Sequence, residues 1–179
     1  MVRVAMDPFD VALGDLRERR GERQVVRRGP IKEALVADVD SRVPAGAEAA
    51  ADVEVQAFQG GVAVVGTVSS VWEGECRRCL RPVSGPLQAQ VREMFRRSGG
   101  EEEGTYPMTE DHLNLREMVL DSLFSALPVL PLCREDCAGI CSECGADLNT
   151  VTCGCATAKV DPRWSALDAL ARERPETPE

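Results

Sequence analysis

Eight cysteines are the side chains of this 179-residue sequence best suited to hold a metal or to do thiol chemistry. Six of them fall within the twenty-three residues from Cys133 to Cys155: Cys133-Arg-Glu-Asp-Cys137, Cys141-Ser-Glu-Cys144-Gly145 and Cys153-Gly-Cys155. The other two, in Cys76-Arg-Arg-Cys79, repeat the C-x-x-C spacing of Cys141 and Cys144. Such a turn presents two thiolates on one side, with backbone N–H groups directed at the sulfurs. Four thiolates then make a tetrahedral zinc site with Zn–S distances of about 2.3 Å. Gly145 permits the left-handed backbone that follows the second ligand.

Six thiolates exceed one mononuclear site, and spacing hardly separates the possible sets. Cys133, Cys137, Cys141 and Cys144 form the preferred quartet, because they are nearest in sequence and only Gly139 must bend sharply. A rival set joins Cys141 and Cys144 to Cys153 and Cys155. A third arrangement adds Cys76 and Cys79 to Cys141 and Cys144, leaving Cys133, Cys137, Cys153 and Cys155 for a second ion. One structural zinc per chain is the expectation. An all-cysteine site is closed and serves folding rather than water activation. An iron–sulfur cluster lacks the tight C-x2-C-x2-C run, and neither C-x-x-C opens a helix after a parallel strand as a redox motif would. His112, the single histidine, has no Ser/His/Asp order, phosphate-cradling glycine loop or open zinc pattern around it, so no enzyme is expected.

The elements that must position these cysteines read mostly as strands. Phe9, Val11 and Leu13 alternate, as do Leu35, Ala37 and Val39 within 31–40. Val53, Val55 and Ala57 alternate before Gly60-Gly61, which predicts a hairpin into the Val-rich 62–72. That strand runs into the Cys76–Cys79 turn, and Leu87 to Phe95 alternates on the far side. Gly21 and Gly29-Pro30 break the basic stretch 16–30 into a turn-rich loop. Further on, Asn114 is placed as a helix N-cap with Glu117 as its capping-box partner, and Leu113 and Met118 as a staple. Leu115, Val119, Leu123, Phe124 and Leu127 form the apolar stripe, and Pro128 ends the helix. Asp161-Pro162 opens a second helix carrying Trp164, Leu167 and Leu170.

The expected architecture is α+β: an antiparallel sheet or partly open barrel covered by a helix, with a C-terminal cysteine-rich zinc-knuckle module and a terminal helix. The division expected is a β domain over 1–97 with a basic N-terminal segment, and an acidic flexible connector over 98–109. The helix, cysteine module and last helix follow over 110–173, with a disordered tail over 174–179. Aromatic residues at 4% imply a core of Val, Leu and Ala. No stretch has the length of a membrane span or the apolar core of a secretory signal, so a cytoplasmic setting is expected. There, reduced thiolates are favoured over disulfides.

The net charge of −9 is uneven. Residues 1–97 carry 15 Arg and Lys against 14 Asp and Glu, whereas 98–179 carry 6 against 16. Seven basic and two acidic side chains crowd into 17–32. One half suits phosphate and the other repels it, although the basic segment lacks interleaved aromatics for base stacking and also reads as a solvated face.

Four segments together resemble a known family. They are Glu75-Cys76-Arg77-Arg78-Cys79-Leu80, the helix ending in Leu-Pro-Val-Leu-Pro-Leu-Cys133, the string Asp136-Cys137-Ala-Gly-Ile-Cys141-Ser-Glu-Cys144-Gly145-Ala-Asp-Leu148-Asn149, and Asp161-Pro162-Arg163-Trp164. Over about residues 30–172 the sequence is similar to the YceD family, the large ribosomal RNA subunit accumulation proteins. The resemblance implies a non-enzymatic bacterial factor, with plastid relatives, for accumulation of large-subunit (23S) ribosomal RNA. It maps the family's shared hairpin pair onto Cys76 and Cys79, and it implies ribosomal RNA or a pre-ribosomal particle as partner, with no membrane. Together with the charge pattern it points to Arg77, Arg78, Arg81, Arg27 and Arg28 as RNA contacts. The alternative is an adaptor whose acidic half holds a basic ribosomal protein without touching RNA.

Overall fold

Alternation of apolar and polar residues builds most of the structure, a computed structural model that describes residues 7–14, 21–37, 41–97 and 104–155. Nine strands form one sheet: β1 (Asp10–Ala12), β2 (Glu22–Pro30), β3 (Leu35–Val36), β4 (Ser41–Val43), β5 (Glu48–Phe58), β6 (Gly61–Glu75), β7 (Pro82–Arg97), β8 (Thr105–Met108) and β9 (His112–Asn114). Among the described residues one helix, α1 (Arg116–Ala126), follows. The chain divides into two units, Met1–Cys137 and Ala138–Glu179.

The long strand β6 is the spine of the first unit. One edge pairs antiparallel with β7 over its whole length, from Gly61↔Arg96 to Glu75↔Pro82. The other edge is shared: β5 occupies the part from Gly61 to Ser69, and β4 pairs at Glu73 and Gly74. Beyond β7 come β8, which is parallel to it, then β9 and β1; beyond β5 comes β2. The sheet curls into a half-barrel, and side chains rather than a ladder bridge its two outer strands. From β2, Arg23 Nη2 donates to the Ala12 carbonyl at 2.6 Å and Arg27 Nε to the Asp10 carbonyl at 3.0 Å.

The concave face holds the core. Val25, Val53, Val55, Val64, Val91 and Phe95 are buried there with Phe9, Val11 and Leu13, in the Val/Leu/Ala composition that few aromatics impose. The helix adds Met118, Val119 and Leu123 to the same cluster. Phe124, expected on the buried stripe, is half exposed, and Met118 fills the inward position instead. The side chain of Asn114 accepts a hydrogen bond from the Arg116 amide at 2.8 Å, one residue ahead of the helix boundary at Leu115. The backbone extends at Leu127 before Pro128, as steric conflict with the proline ring requires.

Three expectations change. The stretch 22–30 is not a loop but the nine-residue β2, paired with β5 from Glu22↔Gln56 to Pro30↔Glu48. Gly29 is there for close approach rather than for a turn, since a Cβ on it would lie 2.7 Å from the ring of Pro8. Of the single strand expected over 31–40, the described residues 31–37 carry only the short β3, with Ile31 buried where its amide meets the Ala47 carbonyl at 2.9 Å. Part of the supposed connector is β8, whose Tyr106 stacks on Phe95 at 5.2 Å and donates to Asp121 at 3.0 Å. The boundary between units therefore falls after Cys137 rather than at 98–109, because α1 shares the core of the sheet. The second helix and the tail lie outside the described residues.

Candidate metal centres

The eight cysteines fall into two tetrads. Cys76, Cys79, Cys133 and Cys137 belong to the first unit, and Cys141, Cys144, Cys153 and Cys155 to the second. Within each tetrad all four sulfurs lie within 4.8 Å of one another.

The first tetrad is assembled by the β6–β7 hairpin. Its connection is a tight turn in which the Leu80 amide donates to the Cys76 carbonyl at 2.8 Å and the Cys76 amide to the Arg81 carbonyl at 2.8 Å. The chain leaving α1 is led back to this turn. The buried Ser41 hydroxyl donates to the Pro128 carbonyl at 2.8 Å, and the Arg77 amide to the Pro131 carbonyl at 3.0 Å. The Arg78 guanidinium clamps the next turn, donating to the carbonyls of Glu135 at 3.2 Å and Cys137 at 2.9 Å. Cys133 and Cys137 are thereby delivered to the hairpin tip, with Val83 and Leu132 packed against the cluster.

The spacing of the sulfurs fits a tetrahedral ion. Four ligands at about 2.3 Å from one centre stand about 3.8 Å apart. Cys76 Sγ lies 3.8 Å from Cys137 Sγ, and Cys79 Sγ 3.7 Å from Cys133 Sγ. The electrostatics favour thiolates at Cys76 and Cys79. Burial pushes the Cys76 thiol up, but the amides of Cys133, Cys79 and Arg78 aim at its sulfur and bring it down to about 6. The amide and guanidinium of Arg81 lower Cys79. Cys133 is pushed up to about 12 by desolvation of its sulfur and by Cys137, Cys79 and Cys76, although the residue as a whole is exposed. Sulfurs crowded this closely repel one another as anions, which a dication relieves.

The second tetrad repeats the turn. The Gly145 amide donates to the Cys141 carbonyl at 2.9 Å and the Cys141 amide to the Ala146 carbonyl at 2.8 Å. An isolated bridge pairs Ile140 with Asp147. Asn149 then ties the loop together: its Oδ1 accepts from the Ala138 amide at 2.9 Å, and its Nδ2 donates to Asp147 Oδ1 at 2.6 Å. The amides of Cys144 and Glu143 bring Cys141 down to about 6, while Cys144 and Cys141 push Cys155 up to about 12.

The grouping departs from the preferred quartet, which is split between the tetrads. Cys133 and Cys137 join Cys76 and Cys79, the pair ranked lowest as ligands, and the rival set of Cys141, Cys144, Cys153 and Cys155 stands together as such. Nearness in sequence misleads because the chain leaving α1 is led back to the β6–β7 hairpin tip, which joins residues some sixty positions apart. Equal C-x-x-C turns at 76–79 and 141–144, each needing two further ligands, were the signal for two sites.

The family described as "Large ribosomal RNA subunit accumulation protein YceD" matches residues 64–171, more than half of the chain and both tetrads. The chain belongs to this family. An uncharacterized protein of Mycobacterium tuberculosis (strain ATCC 25618 / H37Rv) is 34% identical over 122 residues, which are 65% of this chain and 58% of that protein. An uncharacterized protein of Mycobacterium leprae (strain TN) is 33% identical over 135 residues, 72% of this chain and 62% of that protein. The chain thus spans about three fifths of the length of these relatives. No solved structure matches it. The YceD match begins within β6, so β1 to β5 lie before it.

The arginines singled out from the sequence do not form one group. Arg77, Arg78 and Arg81 are exposed at the β6–β7 hairpin tip, the knuckle of the first unit, whereas Arg27 and Arg28 lie on β2, across from Ala51 and Ala50 of β5 and so level with Val68 and Ser69 of β6. Cys76 is seven residues beyond Ser69, about 23 Å along a strand. Arg27 bridges the outer strands, and Arg28 makes a loose, exposed pair with Glu48 at 3.9 Å. Arg78 supports the first tetrad, and Arg81 faces Cys79. The Arg77 guanidinium has no hydrogen bond or ion pair among the described residues.

Proposed function

We propose that this YceD-family chain is a non-enzymatic cytoplasmic factor that supports ribosome assembly and the accumulation of large-subunit ribosomal RNA, and that it holds two structural zinc ions. Cys76, Cys79, Cys133 and Cys137 hold one ion, and Cys141, Cys144, Cys153 and Cys155 the other. The observation that carries the reading is the family match over a hairpin tip whose cysteines are buried for metal and whose Arg77 is exposed. With all four ligands from protein, bound zinc supplies folding energy and no open position for chemistry. The RNA surface is the knuckle, with Arg77 its most available cation. Arg27 and Arg28 are left as a separate basic strip on β2.

Binding to a large-subunit ribosomal RNA transcript tests this. Affinity should fall with salt, and Arg77→Ala should weaken binding and lower the slope of log K against log salt by about 0.7, one phosphate contact to single-stranded RNA. Binding indifferent to salt and to Arg77 would remove the RNA reading. The uneven charge, 6 basic against 16 acidic residues over 98–179, supports a second reading as a holder of a basic ribosomal protein. A protein partner retained after nuclease treatment would select it.

A further inference from the structure

The two C-x-x-C turns are an internal comparison. They share the same pair of backbone hydrogen bonds, and the residue after the second cysteine has positive φ in both, +58° at Leu80 and +73° at Gly145. Glycine adopts that conformation freely; an aliphatic side chain does not. Leu80 is the one non-glycine residue with positive φ among the described residues. Burial of its side chain would compensate, but Leu80 is 56% exposed and belongs to neither apolar cluster. Folding would be served at least as well by glycine, as at position 145. A strained residue whose side chain the fold does not need points to a contact made outside the chain.

We infer that Leu80 is the apolar contact of the knuckle surface, packing on the face of an unstacked RNA base while the adjacent Arg77 meets a phosphate. This rests on the RNA reading above and names the residue that makes the non-ionic part of the contact. The surroundings favour RNA: Leu80 sits among the exposed Arg77, Arg78 and Arg81. The exposed Val129 and Leu130, brought near by the Arg77–Pro131 bond, are what a protein partner would use instead.

The full chain loaded with zinc is titrated with a labelled large-subunit ribosomal RNA transcript at several salt concentrations, as native protein and as Leu80→Gly, Leu80→Ala and Arg77→Ala. Leu80→Gly should keep its metal and melt at the same temperature or higher, yet bind about five- to tenfold more weakly, as loss of a partly buried leucine contact implies, with an unchanged salt slope. Leu80→Ala, which keeps the strain but loses the side chain, should bind as weakly as Leu80→Gly. Arg77→Ala should change the slope instead. Native affinity in both Leu80 variants overturns the inference and leaves RNA binding standing. No binding of the transcript by the native chain, with a nuclease-resistant protein partner lost in Leu80→Gly, overturns both.

Discussion

Among individual residues, Asp7 and Arg116 show how few charges the fold needs inside. Arg116 Nε meets Asp7 Oδ2 at 2.5 Å and Nη2 meets Oδ1 at 3.0 Å, a two-pronged pair across 109 positions, and the guanidinium lies over the Phe9 ring at 5.1 Å. The Arg116 hydrogen bonds hold the Asp7 carboxyl below its usual 3.8, against the opposing effect of burial. A carboxyl lowered on folding adds stability that is present above its unfolded pKa and is lost as pH falls through the folded value. Asp7→Asn should cost about 1 kcal/mol at neutral pH, a figure reduced for partial exposure. The difference between native and variant should shrink as pH falls below 3.8 and vanish only below the lowered folded value, as a series of urea melts from pH 7 down to about pH 2 will measure.

At the scale of the element, β5 and β6 are held closer than side chains allow. A Cβ on Gly66 would lie 2.3 Å from the Asp52 carbonyl oxygen and 2.7 Å from the Val53 Cα, both backbone atoms that cannot step aside. Gly66→Ala should therefore destabilise the protein by about 3 kcal/mol, read from its denaturant midpoint, because β5 must separate from the spine strand. Gly145 has open space around its position, so the glycine there answers backbone conformation alone. The two glycines look alike in sequence and act through different physics. The same ambiguity concealed β2, where Gly29 reads as a breaker and is instead a close-packing residue.

For the whole molecule, the two tetrads have unequal support. The first sits on a sheet with its own apolar core, and three of its four cysteines are buried. In the second unit, Cys141 is the single buried side chain among the described residues. Binding a structural zinc is worth about 10–16 kcal/mol to a small module at neutral pH, which is a sufficient substitute for a core. Metal analysis under reducing conditions should return two zinc ions per chain, falling to one in Cys137→Ser and to one in Cys144→Ser. Chelation should abolish amide protection over 138–151 at chelator concentrations that leave β5 to β7 protected. One ion in the native chain would show that a tetrad holds only thiols.

The sequence by itself determined the periodicities of β5, β6 and β7, the helix after Asn114, the thiol chemistry and, through its motifs, the family. These are local properties, set by side-chain alternation, turn residues and ligand spacing. Which cysteine joins which tetrad was decided by tertiary structure alone. The β6–β7 ladder places Cys76 and Cys79 at a hairpin tip, and the segment after α1, held by Ser41 and Arg78, carries Cys133 and Cys137 to them. Long-range register is invisible to spacing. The same tertiary structure gave Arg27 and Arg78 hydrogen bonds within the fold, and left Arg77 and Leu80 exposed beside the first tetrad.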